Sequence, residues 1–394
     1  MSVPIIRFNS FSEDWRLESI SSVISNKSKK YDPIKAIEDL PCIELEHLSQ
    51  QTGEILDTIS GKDQKSIKNI FDENSVLFGK LRPYLRKFAR PNFKGVCSSE
   101  IWVLKSKKLH SDFLFQYIQT DSFFELTQIQ AGSKMPRADW ESISKGEIYF
   151  PNAEEQTKIA SFLSAVDEKI SQLTQKHQLL SQYKQGMMQK LFSQQIRFKA
   201  DDGSEFEEWS NKTIGDIANI KRGASPRPIT DSKWFDESSN IGWVRISDVS
   251  KSKKYLLETE QYLSPEGIQK SRLVPKGNLI MSICATIGKP IYTGFDVCIH
   301  DGFVVFSELQ AIHEYAYYYL EFIEKNWYQY GQPGTQVNLN SDIVSNEEFP
   351  FPCLEEQTKI ANFLSSIDQK IDVASEQLEQ AKLWKKGLLQ QMFV

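Results

Sequence analysis

Glu154-Glu-Gln-Thr-Lys-Ile-Ala160 and Glu355-Glu-Gln-Thr-Lys-Ile-Ala361 are the same seven residues, 201 positions apart. Carried at that offset, Phe150 to Ser193 matches Phe351 to Val394 with 19 identities in 44 pairs. The period far exceeds the roughly 20–50 residues of solenoid repeats. The chain therefore duplicates a larger unit, a globular part followed by a helix. Beyond the helices the match weakens. Phe11-Ser-Glu-Asp-Trp15 with Ile20 parallels Phe206-Glu-Glu-Trp209 with Ile214, and Gly132-Ser133-Lys134 parallels Gly334-Thr335-Gln336. The bodies otherwise differ. A duplicated chain that keeps one part and varies another points to a constant role and a variable one.

The constant part predicts two long helices. Asn152 is placed as an N-cap with Glu155 three residues on, the spacing of a capping box; the second copy has Cys353 there, a poorer cap. From Glu154 to Leu191 there is no proline and one glycine, Gly186, matched by Gly387. Apolar residues recur in alternating steps of three and four. In the first helix they are Ile159, Leu163, Val166, Ile170, Leu173, Leu180, Met187 and Leu191, with His177 and Lys184 completing the pattern. In the second they are Ile360, Leu364, Ile367, Ile371, Ala374, Leu378, Ala381, Leu388 and Met392, with Lys385 in the position equivalent to Lys184. About five heptads of this kind make a coiled-coil seam. Thirty-eight residues at ~1.5 Å each give roughly 57 Å.

The fold expected is mixed α/β, with two globular domains separated by two long antiparallel coiled-coil helices in a pseudo-twofold internal repeat. The boundaries are 1–150, 151–198, 199–350 and 351–394. A parallel pair would crowd both domains at one end; alternatively each helix belongs to the core of its own domain. Lys184 and Lys385 either pin the register or mark where the helices splay. Phe162, Phe363, Phe192 and Phe393 lie off the seam and are available to a further partner. Strands are expected at Ile101–Leu104, Leu279–Ile283 and Phe303–Phe306, and helical stretches at Asp112–Leu126 and Ile312–Tyr330.

Composition is that of an ordinary globular chain: 40% hydrophobic, 25% charged, net charge −5. A uniformly basic nucleic-acid binder is excluded; local basic patches are not. Residues 1–150 carry 21 basic and 20 acidic groups, and residues 201–350 carry 14 and 22. Five scattered cysteines with no Cys-x-x-Cys predict reduced thiols in a cytoplasmic protein. No apolar run reaches the ~20 residues that cross a bilayer.

One stretch of the first body stands out. Lys80, Arg82, Arg86, Lys87, Arg90 and Lys94 occur with Tyr84 and without an acidic residue between them. Lysine and arginine neutralise phosphates, and arginine also pairs bidentately with guanine. The reading is a DNA-facing hairpin or loop; the alternative is a solvated basic face. Ser133, Lys134 and Arg137 form a second donor-bearing loop. In the second body the candidates are Lys221, Arg222, Ser225 and Arg227 on a proline-stiffened loop, then Arg245, Lys251, Lys253 and Lys254, with Lys270 and Arg272 beyond. Thr335, Gln336 and Asn338 sit on a polar loop, and Gln and Asn can pair with adenine. Each is weak singly; their matching places in both bodies strengthen them.

Catalytic signatures are missing. There is no G-x-G-x-x-G, no P-loop and no amino-methyltransferase N-P-P-[FY] run. His300-Asp301-Gly302-Phe303 looks faintly like a kinase fragment but leads into a strand. Two other readings stand beside a DNA-targeting subunit. One is a coiled-coil scaffold for proteins, with no DNA role. The other is a nuclease with dispersed carboxylates.

P-x-x-E-E-Q-x-x-I-A-x-x-L at Pro151 to Leu163 and Pro352 to Leu364 is followed by D-x-K-I at Asp167 to Ile170 and Asp368 to Ile371. With the Trp15 and Trp209 openings, this resembles the specificity subunit of type I restriction-modification systems over the whole chain. The resemblance implies two target recognition domains, each reading half of a bipartite, asymmetric DNA sequence, held apart by the helices. It implies as partners double-stranded DNA, two modification subunits that methylate adenine with S-adenosylmethionine, and restriction subunits that use ATP and Mg. None of these cofactors is expected on this chain, and no catalytic or metal site.

Overall fold

The computed structural model describes residues 3–128, 135–330 and 339–394. Two helices dominate it, Ala153–Phe192 and Leu354–Met392. Each is one or two residues longer at its ends than the periodicity predicts. The chain divides into two compact units, Met1–Gln175 with Ser375–Val394, and Lys176–Ala374. The division cuts both long helices near their middles, so each unit holds the start of one and the end of the other.

Within the first unit, Ile159, Leu163 and Val166 share a core with Leu388, Leu389, Met392 and Phe393. The start of one helix thus meets the end of the other, which is antiparallel packing. In the second unit Met188, Leu191 and Phe192 share a core with Ile360, Leu364 and Ile367. Every seam position of both helices is buried or half-buried and none is exposed. Full burial at an apolar position contributes roughly 1.5–3 kcal/mol, and Leu163 and Leu364 are fully covered. Phe192 and Phe393 are not offered to a further partner: Phe393 packs on Trp15 and Phe113, and Phe192 on Tyr315 and Tyr319. Phe162 meets Phe8 and Trp384, and Phe363 meets Phe198.

The seam lysines are ion-paired rather than splayed. Lys184 lies 2.8 Å from Asp368 and 2.7 Å from Glu321. Lys385 pairs with Asp167 at 2.5 Å and donates to Gln119 at 2.6 Å. Burial alone would push the Lys184 ammonium down; the two carboxylates outweigh it and hold it above its usual range. The aspartates of the repeated D-x-K-I motif are therefore the counter-ions of the seam lysines.

The repeated E-E-Q motif is structural too. Asn152 caps the first helix, its Oδ1 accepting the Glu155 N–H at 3.0 Å. Glu155 does not complete the capping box. Its buried carboxylate accepts from Arg7 (2.7 and 2.8 Å) and from the Trp15 indole N–H (3.4 Å). Glu356 repeats this with Arg197 (3.2 and 2.9 Å) and Trp209 (2.8 Å). Gln156 accepts from His110 N–H, and Gln357 from Ile312 N–H, both at 2.8 Å. Each glutamate thus fastens the arm that opens its body, and each glutamine fastens the start of a body helix, Ser111–Tyr117 or His313–Ile323.

The bodies match in topology although not in sequence. A two-stranded antiparallel sheet closes each, Arg16–Ser19 with Glu147–Phe150 and Ser210–Thr213 with Glu348–Phe351. Two further sheets follow in each. In the first body Val76–Gly79 pairs antiparallel with Ile101–Ser106, and Pro41–Ile43 runs parallel to Gly95–Cys97. In the second, Leu279–Ser282 pairs antiparallel with Phe303–Ser307, and Gly242–Val244 runs parallel to Val297–Ile299. Apolar faces of the two sheets meet in cores such as Ile43, Phe71, Leu77 and Val103. The expected strands lie where the patterns put them. The expected helix at Asp112–Leu126 is two short ones, Ser111–Tyr117 and Asp121–Thr127, because Thr120 Oγ1 accepts from Phe123 N–H and caps a new start.

Candidate nucleic-acid interface

The basic stretch of the first body turns tightly from Val76–Gly79 into the short strand Phe88–Ala89, which pairs back on it antiparallel, and runs on to Gly95–Cys97. Arg82 and Arg86 both take left-handed backbone angles, φ +50° and +47°, around the single 3-10 turn Pro83–Leu85. Such angles cost an L-residue free energy, and surrounding contacts hold them. Arg82 N–H donates to Pro136 O and Ala138 N–H to Lys80 O, both 2.8 Å. This fixes the turn against residues 136–138.

The turn sorts its cations. Arg86 sits 2.6 Å from Asp121 and lies over the Phe124 ring. Lys87 Nζ donates to Leu45 O at 2.6 Å. Arg90 pairs with Asp112 and with Asn74, each at 2.7 Å. These three brace the body. Lys94 reaches Glu38 at 3.6 Å on the surface, and Arg137 reaches Glu100 at 3.1 Å. Lys80, Arg82 and Tyr84 have no side-chain partner among the described residues, and Arg82 and Tyr84 are exposed. Ser133 and Lys134, and in the second body Thr335, Gln336 and Asn338, lie outside the described residues.

In the second body the candidates converge. Gly223 is pressed against the chain at 299–300, where a Cβ would stand 2.0 Å from His300 O, so only glycine fits. That close approach brings Ser225 Oγ to Asp301 Oδ1 at 2.7 Å and Arg227 to Oδ2 at 3.1 Å. Arg222 Nε donates to Asp301 O at 2.7 Å, and Arg272 donates to Arg222 O. Arg245 is exposed at the end of Gly242–Val244, and Lys221 is exposed nearby in sequence. The Ser225 hydroxyl, with Arg227 behind it, holds the Asp301 carboxyl below the usual range. Burial pushes the His300 imidazole down. Its Nδ1 accepts from Gly302 N–H at 2.8 Å, so the neutral ring carries its proton on Nε2.

Three remaining lysines are placed differently. Lys251 pairs with Glu260 and Lys253 with Asp372, at 2.5 and 2.7 Å. Lys254 lies over Tyr317 and Tyr318, 5.0 and 4.7 Å from their ring centroids, and burial lowers it. It is packed into the body rather than held out to a phosphate. The sequence reading set His300 and Asp301 aside as a faint kinase-like fragment and did not single out Trp243; their place in and just beyond two parallel strands brings them together. Among the described residues no group of three or more His, Cys, Asp or Glu is arranged to hold a metal ion.

The comparisons with known proteins also find one unit used twice. The family model described as the type I restriction modification DNA specificity domain matches residues 10–182 and again 206–383. The chain belongs to that family. It is similar to the type I restriction enzyme MjaVIII specificity subunit of Methanocaldococcus jannaschii, at 25% identity over 96% of this chain and 91% of that one. The EcoDI specificity subunit of Escherichia coli is 24% identical over 36% of this chain and 32% of its own length. Among solved structures, the specificity subunit from M. genitalium shares the fold with a TM-score of 0.60, 15% identity and coverage of 100% and 99%. A chain from a study of type I system assembly and conformational transition gives 0.62, at 20% identity and 95% and 96% coverage. This DNA specificity subunit is a targeting chain without catalysis of its own. The scaffold and nuclease readings fall with that assignment. Among the described residues no helix is long and apolar enough to cross a membrane.

Proposed function

We propose that each body reads one half of a bipartite, asymmetric DNA target while the paired helices act as a coiled-coil spacer between the two. The observation that carries this is one topology used twice with different outward chemistry. The first body presents Lys80, Arg82 and Tyr84; the second presents Arg227 and Arg245 around Asp301, with Lys221 exposed on a neighbouring strand. Unlike readers give unlike half-sites, so the target is not a palindrome. Phosphate contacts fix register and base contacts specify, so both kinds of residue belong to each reader.

Two modification subunits dock on the helices in this reading, one for each half. The helices carry exposed apolar residues suited to it: Leu179 and Tyr183 on one, Leu383 and Trp384 on the other. Tyr183 and Trp384 occupy the same place in the repeat. The partners bring S-adenosylmethionine, ATP and Mg, and extrude the adenine that is methylated. The complex works in the cytoplasm, with restriction subunits joining it.

The test is methylome sequencing of cells carrying the complex. Lys80→Ala with Arg82→Ala and Tyr84→Ala is expected to relax one half-site only; Arg227→Ala with Arg245→Ala is expected to relax the other. If both sets change the same half, or neither changes any base preference, the assignment of readers is wrong.

A further inference from the structure

The parallel strands Gly242–Val244 and Val297–Ile299 end side by side, and beyond their carboxyl ends lies a recess of about 250 Å³. Ser225, Arg227, Trp243, Arg245, His300 and Asp301 line it. The Trp243 and His300 rings stand 6.0 Å apart, centroid to centroid, and form an aromatic wall. The matching strand ends in the first body are furnished differently among the described residues. There Glu44 follows Pro41–Ile43 and is taken up by an ion pair with the buried Lys68. The strand ends of the second body thus carry side chains of their own.

Base edges inside a duplex are read by elements that protrude into a groove. A recess cannot follow them there, so a base that enters one must leave the stack. Two features select what enters. Arg227 and Arg245 are exposed at the rim, where they neutralise phosphates. Asp301 is the carboxylate of the lining, and an ionised carboxylate only accepts hydrogen bonds. Its oxygens each receive one bond, from Ser225 and Arg227, and retain further lone pairs. Guanine presents two adjacent donors, N1–H and the 2-amino group, on its Watson–Crick edge. Adenine, cytosine and thymine each set an acceptor beside their donor, which a carboxylate repels. Neutral His300 adds a donor at Nε2 for the guanine carbonyl.

We propose that this recess receives an extrahelical guanine of the half-site read by the second body, with Asp301 on its donor edge and Arg227 and Arg245 on its flanking phosphates. The inference rests on the DNA-reading function proposed above. The experiment uses the chain assembled with its modification subunits, and duplexes carrying the target found by methylome sequencing. Each guanine of the half-site is replaced in turn by 6-methylisoxanthopterin, a fluorescent guanine analogue that brightens when unstacked. One position is expected to brighten severalfold on binding, and the rise is expected to vanish in Asp301→Asn and to shrink in Arg245→Ala. Asp301→Asn is nearly isosteric and Arg245 is exposed, so both variants fold. Inosine at the same position lacks the 2-amino group and, with the wild-type chain, is expected to weaken binding severalfold more than at neighbouring guanines. Silence at every guanine, a rise that survives both substitutions, or a half-site with no guanine on either strand overturns the proposal. Selective methylation with silent analogues defeats this inference alone, whereas equal methylation of target and random DNA defeats the reading beneath it as well.

Discussion

Glu155 and Glu356 show what a repeated acidic residue does when it turns inward. Each carboxylate is buried and answers one arginine and one indole N–H. Removing one partner of such a pair leaves the other uncompensated, at a cost of roughly 3–5 kcal/mol. Because Arg197 is partly solvated, Glu356→Ala is expected near the lower bound, about 3 kcal/mol, with Glu356→Gln milder because it keeps an acceptor for Trp209. Urea titration of the purified chain measures both; equal losses would show that the charge matters little. The arginines were hidden in the sequence for a simple reason. Ile6-Arg7-Phe8 and Ile196-Arg197-Phe198 repeat at an offset of 190, not 201, so an alignment fixed on the helices slides past them. His300 makes a second residue-scale prediction. Its folded value lies below 6.5 because of burial, so the folded state resists protonation and loses stability as pH falls below the unfolded value. Imidazole NMR is expected to show a midpoint under 6.5 with the proton on Nε2 above it; a midpoint above 6.5 would contradict the burial argument.

At the scale of the element, the seam was legible because burial along a helix follows a period that sequence displays. Its lysines were not, because their counter-ions are about one whole repeat away, in the other helix: Asp368 for Lys184, Asp167 for Lys385. Reciprocal pairs of this kind fix one antiparallel register, since sliding either helix by a heptad separates both. A double-mutant cycle on Lys184→Met and Asp368→Asn is expected to give a coupling of about 1–3 kcal/mol, and thermal denaturation of the four chains measures it. Additive effects would mean that Glu321 alone satisfies Lys184 and that the motif aspartate does not set register. The basic turn was legible as a charge run and not as a site. Arg86, Lys87 and Arg90 are bound by Asp121, Leu45 O and Asp112, partners that lie roughly 20–45 positions away in sequence. Only folding separates these braces from Lys80, Arg82 and Tyr84.

For the whole molecule, a net charge of −5 makes general attraction to DNA weak, so binding depends on local cations and on where the two readers are placed. The proposed spacer turns placement into helix length. One heptad inserted after Gln175 and one after Glu376, matched positions in the repeat, keeps both seams in phase. Seven residues at ~1.5 Å lengthen each helix by roughly 10 Å, equal to about three base pairs at ~3.4 Å per step. The same seven residues turn a straight helix by about 20° short of two full revolutions, a twist the readers can absorb. The expected outcome is a methylome in which both half-sites keep their bases and the gap between them grows by about three. A single insertion puts one helix out of step with the other and is expected to abolish methylation. An unchanged gap in the doubly extended chain would show that something other than the helices sets the spacing, and a changed half-site would show that the readers depend on the rod for more than position.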